Sequence, residues 1–78
     1  MRTEFKTGDL VFCANQEVAT YTISHDPRVG PIQFERYVEV CGPHVFLGYI
    51  DGSKNNGYFL SAREGRIYIC FRGNFKLA

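Results

Sequence analysis

Cys41-Gly42-Pro43-His44 sets a thiol and an imidazole at Cys-x-x-His spacing, the half-motif of a tetrahedral zinc site. Cys13 and Cys70 would have to complete a Cys3His set from within separate runs of sequence. A structural zinc site ordinarily shows a second closely spaced pair, and this chain has none. Cysteine is also a small apolar filler and His44 a fair turn residue, so we expect no metal and no cofactor. His25-Asp26 offers a base beside a carboxylate, and the three cysteines offer nucleophiles. Sequence neighbours on a strand or turn point apart, however. No G-x-S-x-G, H-E-x-x-H, P-loop or dinucleotide motif is present. The chain therefore reads as non-enzymatic.

Binding chemistry is better represented. Lys54, Arg63, Arg66, Arg72 and Lys76 interleave with Tyr58, Phe59, Tyr68, Phe71 and Phe75 in the last third. Aromatic faces beside guanidiniums suit base stacking and phosphate contact, so single-stranded DNA or RNA is one reading of the partner. The formal net charge is only +1, which counts against broad phosphate neutralisation. Tyrosine and arginine are equally the residues enriched at the energetic centres of protein interfaces. On that reading the contacts are Arg36, Tyr37, Arg66, Tyr68 and Arg72, with Pro27 and Arg28 from a stiff loop.

The elements that position these residues read as β throughout. Eight Gly and three Pro punctuate the chain, and no uninterrupted segment carries a convincing apolar stripe at helical spacing. Val, Ile, Tyr, Phe and Thr dominate the apolar runs, which favours strands. Runs fall at residues 9–14, 18–24, 34–41, 45–50, 58–62, 66–72 and 75–77, with Asn15-Gln16 and Gly42-Pro43 read as turns. Residues 25–31 hold two prolines and a glycine and read as an exposed loop. The Asp51-to-Gly57 stretch, with Asp-Gly and Asn-Gly steps, is the strongest hairpin signal. Alternation predicts Phe34, Val38 and Val40 inside one strand and Ile67, Ile69 and Phe71 inside another, with Val11 in the first. It sends Tyr37, Arg66, Tyr68 and Arg72 outward. Strands at this spacing predict an antiparallel meander, closed or nearly closed into a barrel of five to six short strands.

Phe5-Lys6-Thr7-Gly8-Asp9-Leu10-Val11 resembles the opening of SH3-like small β-barrels, in which an aromatic and a turn glycine precede an Asp and the first apolar strand. The resemblance implies an SH3-like barrel and, by analogy, a ligand-binding role. An OB-like barrel is the rival architecture. At 78 residues the chain has room for one domain. Charged residues Arg2, Glu4 and Lys6 follow Met1, no apolar stretch of leader length follows them, and the odd cysteine count fits no disulfide framework. A cytoplasmic setting is expected. The expectation for function is a protein-interaction module, of the kind that masks a site on a larger protein as a phage- or mobile-element-type inhibitor. A subunit of a homo-oligomer is the further alternative.

Overall fold

The computed structural model describes residues 4–78, Asn15 by its backbone alone. Five strands form one antiparallel sheet: β1 (Leu10–Ile23), β2 (Ile32–Tyr49), β3 (Asn56–Ser61), β4 (Ile67–Phe71) and β5 (Lys76–Leu77). A single 3-10 turn, Arg72–Asn74, connects the last two. Spatial order is β4-β3-β2-β1-β5, so the predicted meander holds from β1 to β4 and the chain then returns beside β1. Among the described residues no helix is long and apolar enough to cross a membrane.

The strands are fewer and longer than the sequence predicts. β1 runs through Asn15-Gln16, and β2 runs through Gly42-Pro43. Both supposed turns are bends inside one long hairpin. The ladder slips between Cys13 and Gln16, which absorbs the first as a β-bulge. At the second, Gly42 takes φ +84°, a conformation glycine adopts without strain, while still pairing with Cys13. Pro43 sits where β3 is ending, so its missing N–H spoils little of the ladder. The connecting loop, expected over residues 25–31, spans residues 24–31, one residue longer because β1 ends at Ile23.

Core side chains come from one face of the curled sheet. Val11, Cys13 and Val18 of β1, Val40, His44 and Phe46 of β2, Phe59 and Ser61 of β3, and Tyr68 and Cys70 of β4 are buried together. Phe5 and Phe75 join this cluster from outside the four long strands. Phe75 lies flat on Phe59, with ring centroids 3.9 Å apart, while Phe5 meets Phe59 edge-on at 6.2 Å. Burying rings of this size is the main source of stability open to a small domain.

Two face assignments are overturned. Tyr68 is 8% exposed and Cys70 is wholly buried, whereas Ile67 is 54% exposed and Phe71 also faces out. The run Ile67-Tyr68-Ile69-Cys70-Phe71 is apolar on both faces, so alternation alone cannot choose between them. Pairing decides, by setting Tyr68 opposite the buried Phe59. Phe34 is likewise not core but 50% exposed. A register shift between Thr20 and Tyr21 pairs Tyr21 with Phe34 and Thr20 with Arg36, leaving Glu35 as the extra residue. One added residue turns every side chain beyond it to the other face. Val11 and Val40 are buried as predicted, and Val38 is half-buried against the core.

The sheet curls without closing. β1 and β4 approach one another, but no hydrogen-bonded ladder joins them among the described residues. The closed or nearly closed barrel expected from sequence is therefore not reached: the structure is an unclosed antiparallel sheet, with a seam between the outer half of β1 and β4.

Candidate interaction surface

The outer half of the β1–β2 hairpin forms an arm that lies beside β4 and the turn after β2, and its bulge sorts its side chains. Val18 and Thr20 face inward and are buried. Ala19 and Tyr21 face outward opposite Tyr37 and Phe34. Phe34 and Tyr37 rest on each other with centroids 5.1 Å apart, and Tyr21 meets Phe34 edge-on at 6.3 Å. Tyr37 is 63% exposed. The bulge that removes Phe34 from the core thus creates a three-ring aromatic face on the arm.

That face continues into a groove along the seam. Residues 20–23 of β1 and 67–69 of β4 line a cleft of about 340 Å³, with Tyr58 and Glu35 at its sides. A second cleft of about 300 Å³ adjoins it through Ile23 and Tyr58 and is walled by Pro31, Tyr49 and Asp51. Tyr21 belongs to both surfaces, ring against Phe34 and lining the first cleft. The walls are tyrosine and isoleucine for the most part. Glu35 and Asp51 supply carboxylates, and no described lysine or arginine lines either cleft.

The sequence-predicted contacts are scattered by this geometry. Tyr37 lies on the aromatic face, and Arg36 is exposed on the other side of the same strand. Pro27 and Arg28 are exposed in the loop at the arm's tip. Asp26 is clasped there by Arg28, whose Nε and Nη2 donate to its carboxylate at 3.1 and 3.0 Å. That guanidinium, with the Arg28 backbone N–H, holds the Asp26 carboxyl below the usual carboxylate range. The carboxylate is thus engaged with Arg28, and the His25-Asp26 dyad is not assembled. Arg66 and Arg72 flank the two ends of β4.

Tyr68 does not join them at the surface. Its hydroxyl donates to Glu64 Oε2 at 3.0 Å, and burial followed by the Glu64 hydrogen bond raises its pKa. The stacking platform that Arg66, Tyr68 and Arg72 were expected to share is therefore not formed.

The Cys-x-x-His pair is also divided. Cys41 is half-buried, with Arg63 Nη1 donating to its sulfur at 3.2 Å. His44 turns into the core, its ring 5.1 Å from that of Phe75 and its Nδ1 3.1 Å from the Gly42 carbonyl oxygen. Residues at odd spacing on one strand face opposite ways, so the two cannot chelate one ion from these positions. No group of three His, Cys, Asp or Glu side chains gathers among the described residues. Cys70 is buried, and desolvation pushes its thiol up to about 12; Cys13 is raised for the same first reason.

Sequence reasoning named Tyr58 only for base stacking, and it missed Tyr21, Ile23, Phe34, Tyr49, Ile67 and Ile69 as contacts. Tyr21 carried a signal, as a tyrosine between Thr20 and Thr22, whereas Phe34, Ile67 and Ile69 read only as core. Comparison with protein-family models, curated proteins and solved structures finds no match to this chain.

Proposed function

We propose that the chain is a small non-enzymatic protein-interaction module, an SH3-like barrel open at one seam, that docks a partner protein on the Tyr21-centred surface. The observation that supports this is the continuity of the arm's exposed rings with the tyrosine-walled clefts. Large exposed apolar surface is uncommon on a soluble domain without a use. Tyrosines fixed by neighbouring rings give contact area with little entropy loss on docking. A module of this kind acts by covering a site on a larger protein, the inhibitor role expected from sequence. The contacts on this reading are Tyr21, Phe34, Tyr37 and Tyr58, with Pro27, Arg28 and Arg36 at the rim.

Immobilised protein exposed to lysate of its source cell, with and without nuclease, tests the reading. A stoichiometric protein should be retained after nuclease treatment and lost from the Tyr21→Ser/Tyr37→Ser double variant. Nuclease-sensitive retention, falling steeply with salt as counterion release requires, would replace this reading with nucleic-acid binding. Equal retention by the double variant would place the interface elsewhere.

A further inference from the structure

The seam exposes strand edges as well as side chains. Ser61 N–H bonds to the Arg66 carbonyl oxygen at 2.8 Å and Arg72 N–H to that of Asn55 at 2.7 Å. Partners alternate along an antiparallel ladder. Arg66, Tyr68, Cys70 and Arg72 therefore direct their backbone groups toward β3, and Ile67, Ile69 and Phe71 direct theirs away from it. β1 obeys the same parity. Ser24 N–H bonds to the Pro31 carbonyl oxygen at 3.0 Å, which fixes Thr22 and Ser24 toward β2 and leaves Tyr21 and Ile23 aimed away. Consecutive residues of both strands line one cleft, as they do when a strand presents its edge rather than a face.

An open edge is a template for another strand. Native domains ordinarily blunt one with proline, lysine or a bulge. β4 has none of these: Ile67-Tyr68-Ile69-Cys70-Phe71 is uncharged, pairs with β3 in unbroken register, and keeps Ile67 and Phe71 exposed. The charges that line the clefts are the carboxylates of Glu35 and Asp51.

We propose that the partner is held by strand addition: an extended segment carrying Lys or Arg between β-branched residues enters the seam and pairs with the β4 edge through Ile67 and Ile69. The inference rests on the interaction-module reading and names what that surface takes. Main-chain hydrogen bonds supply the hold, Tyr58 and Ile23 receive alternate apolar side chains, and Glu35 and Asp51 select the positive charge. A second copy of this chain suits the edge less well. Its own edge strand, Ile67–Phe71, carries no Lys or Arg to offer the cleft carboxylates.

A displayed library of random linear peptides, selected on the whole chain, is the test. Enriched peptides should be basic and β-branched. Methylating the nitrogens of alternate residues, which blocks strand pairing along one edge, should weaken them about tenfold or more. Ile69→Pro should weaken them comparably, since the N–H it removes does not serve the β3 ladder; circular dichroism and a thermal scan establish that the variant is folded. Peptides insensitive to methylation, or proline-rich ones, would overturn strand addition while leaving the module reading intact. Acidic peptides bound equally well would overturn the charge assignment. An absence of enrichment would overturn the inference, and the retention assay above decides the module reading independently.

Discussion

Replacing Tyr68 by alanine removes a ring that the structure places 92% out of solvent, against Phe59 and beside His44. Deleting a buried aromatic ring costs about 3–5 kcal/mol, and the polar tip of Tyr68 sets the lower end, about 3 kcal/mol. Ile67, the next residue, is about half exposed. Full burial of an isoleucine is worth about 1.5–3 kcal/mol, so Ile67→Ala should cost only about 1 kcal/mol. A domain of this length has about 4–12 kcal/mol in all. Tyr68→Ala should therefore lower the melting temperature by about 12–24 °C and Ile67→Ala by about 4–8 °C. Tyr68→Phe keeps the ring, loses the hydrogen bond to Glu64, and should sit near 1 kcal/mol. Urea titration of the three variants with a common m-value measures the order directly. Should Ile67→Ala prove the more damaging, the inside of β4 is its other face, and the direction of its free backbone groups must be redrawn with it.

Three further outcomes follow from the same packing. Cys70 ionises near 9 when unfolded and only at about 12 when folded. Its contribution is therefore complete below about pH 9 and is lost as pH climbs toward 12, by at most about 1.4 kcal/mol per pH unit; urea midpoints should fall across that window, and less so in Cys70→Ala. Gly57→Ala would bring a methyl within 2.7 Å of the Gly48 carbonyl oxygen and of the Phe46 ring, whereas the nearest atoms to a methyl at Gly73→Ala belong to the exposed, movable Phe71 ring. The first should cost about 1–3 kcal/mol and the second less, by the same titration. His44 is buried with no described partner for Nε2, so His44→Phe, which removes that orphan and keeps a ring beside Phe75, should be neutral or stabilising in a thermal scan.

Strand content, the loop over residues 24–31 and the hairpin after Ile50 were legible because Gly, Pro, Asn and Asp punctuate the chain where the backbone must turn. Faces were legible only where polar and apolar residues contrast, as at Val38 and Val40. β4 offers no such contrast, and only its register with β3 orients it. The bulge at Glu35 has no local mark either, for Phe34-Glu35-Arg36-Tyr37 reads as ordinary alternation; the extra residue is visible only once Thr20 and Tyr21 find their partners. The candidate surface inherits both gaps. Tyr37 was found because its own strand exposes it, while Tyr21, Phe34 and the seam residues depend on which distant strands meet. An open seam is a property of the whole sheet, and no window of sequence contains it.

The contacts of Phe5 and Phe75 with Phe59 bear on how the chain acquires its structure. One ring comes from the beginning of the described chain, the other from its last few residues, and both lie on a strand from the middle. Such a core has high contact order, and domains of that kind fold in milliseconds to seconds rather than microseconds. During synthesis the β1–β2 hairpin emerges whole, yet its inward residues lack a lid until Phe75 has left the ribosome. The nascent chain therefore passes through an interval with Phe59 and His44 uncovered, when chaperone capture and aggregation compete with folding. Removing the last residues from Phe75 onward should prolong that interval indefinitely.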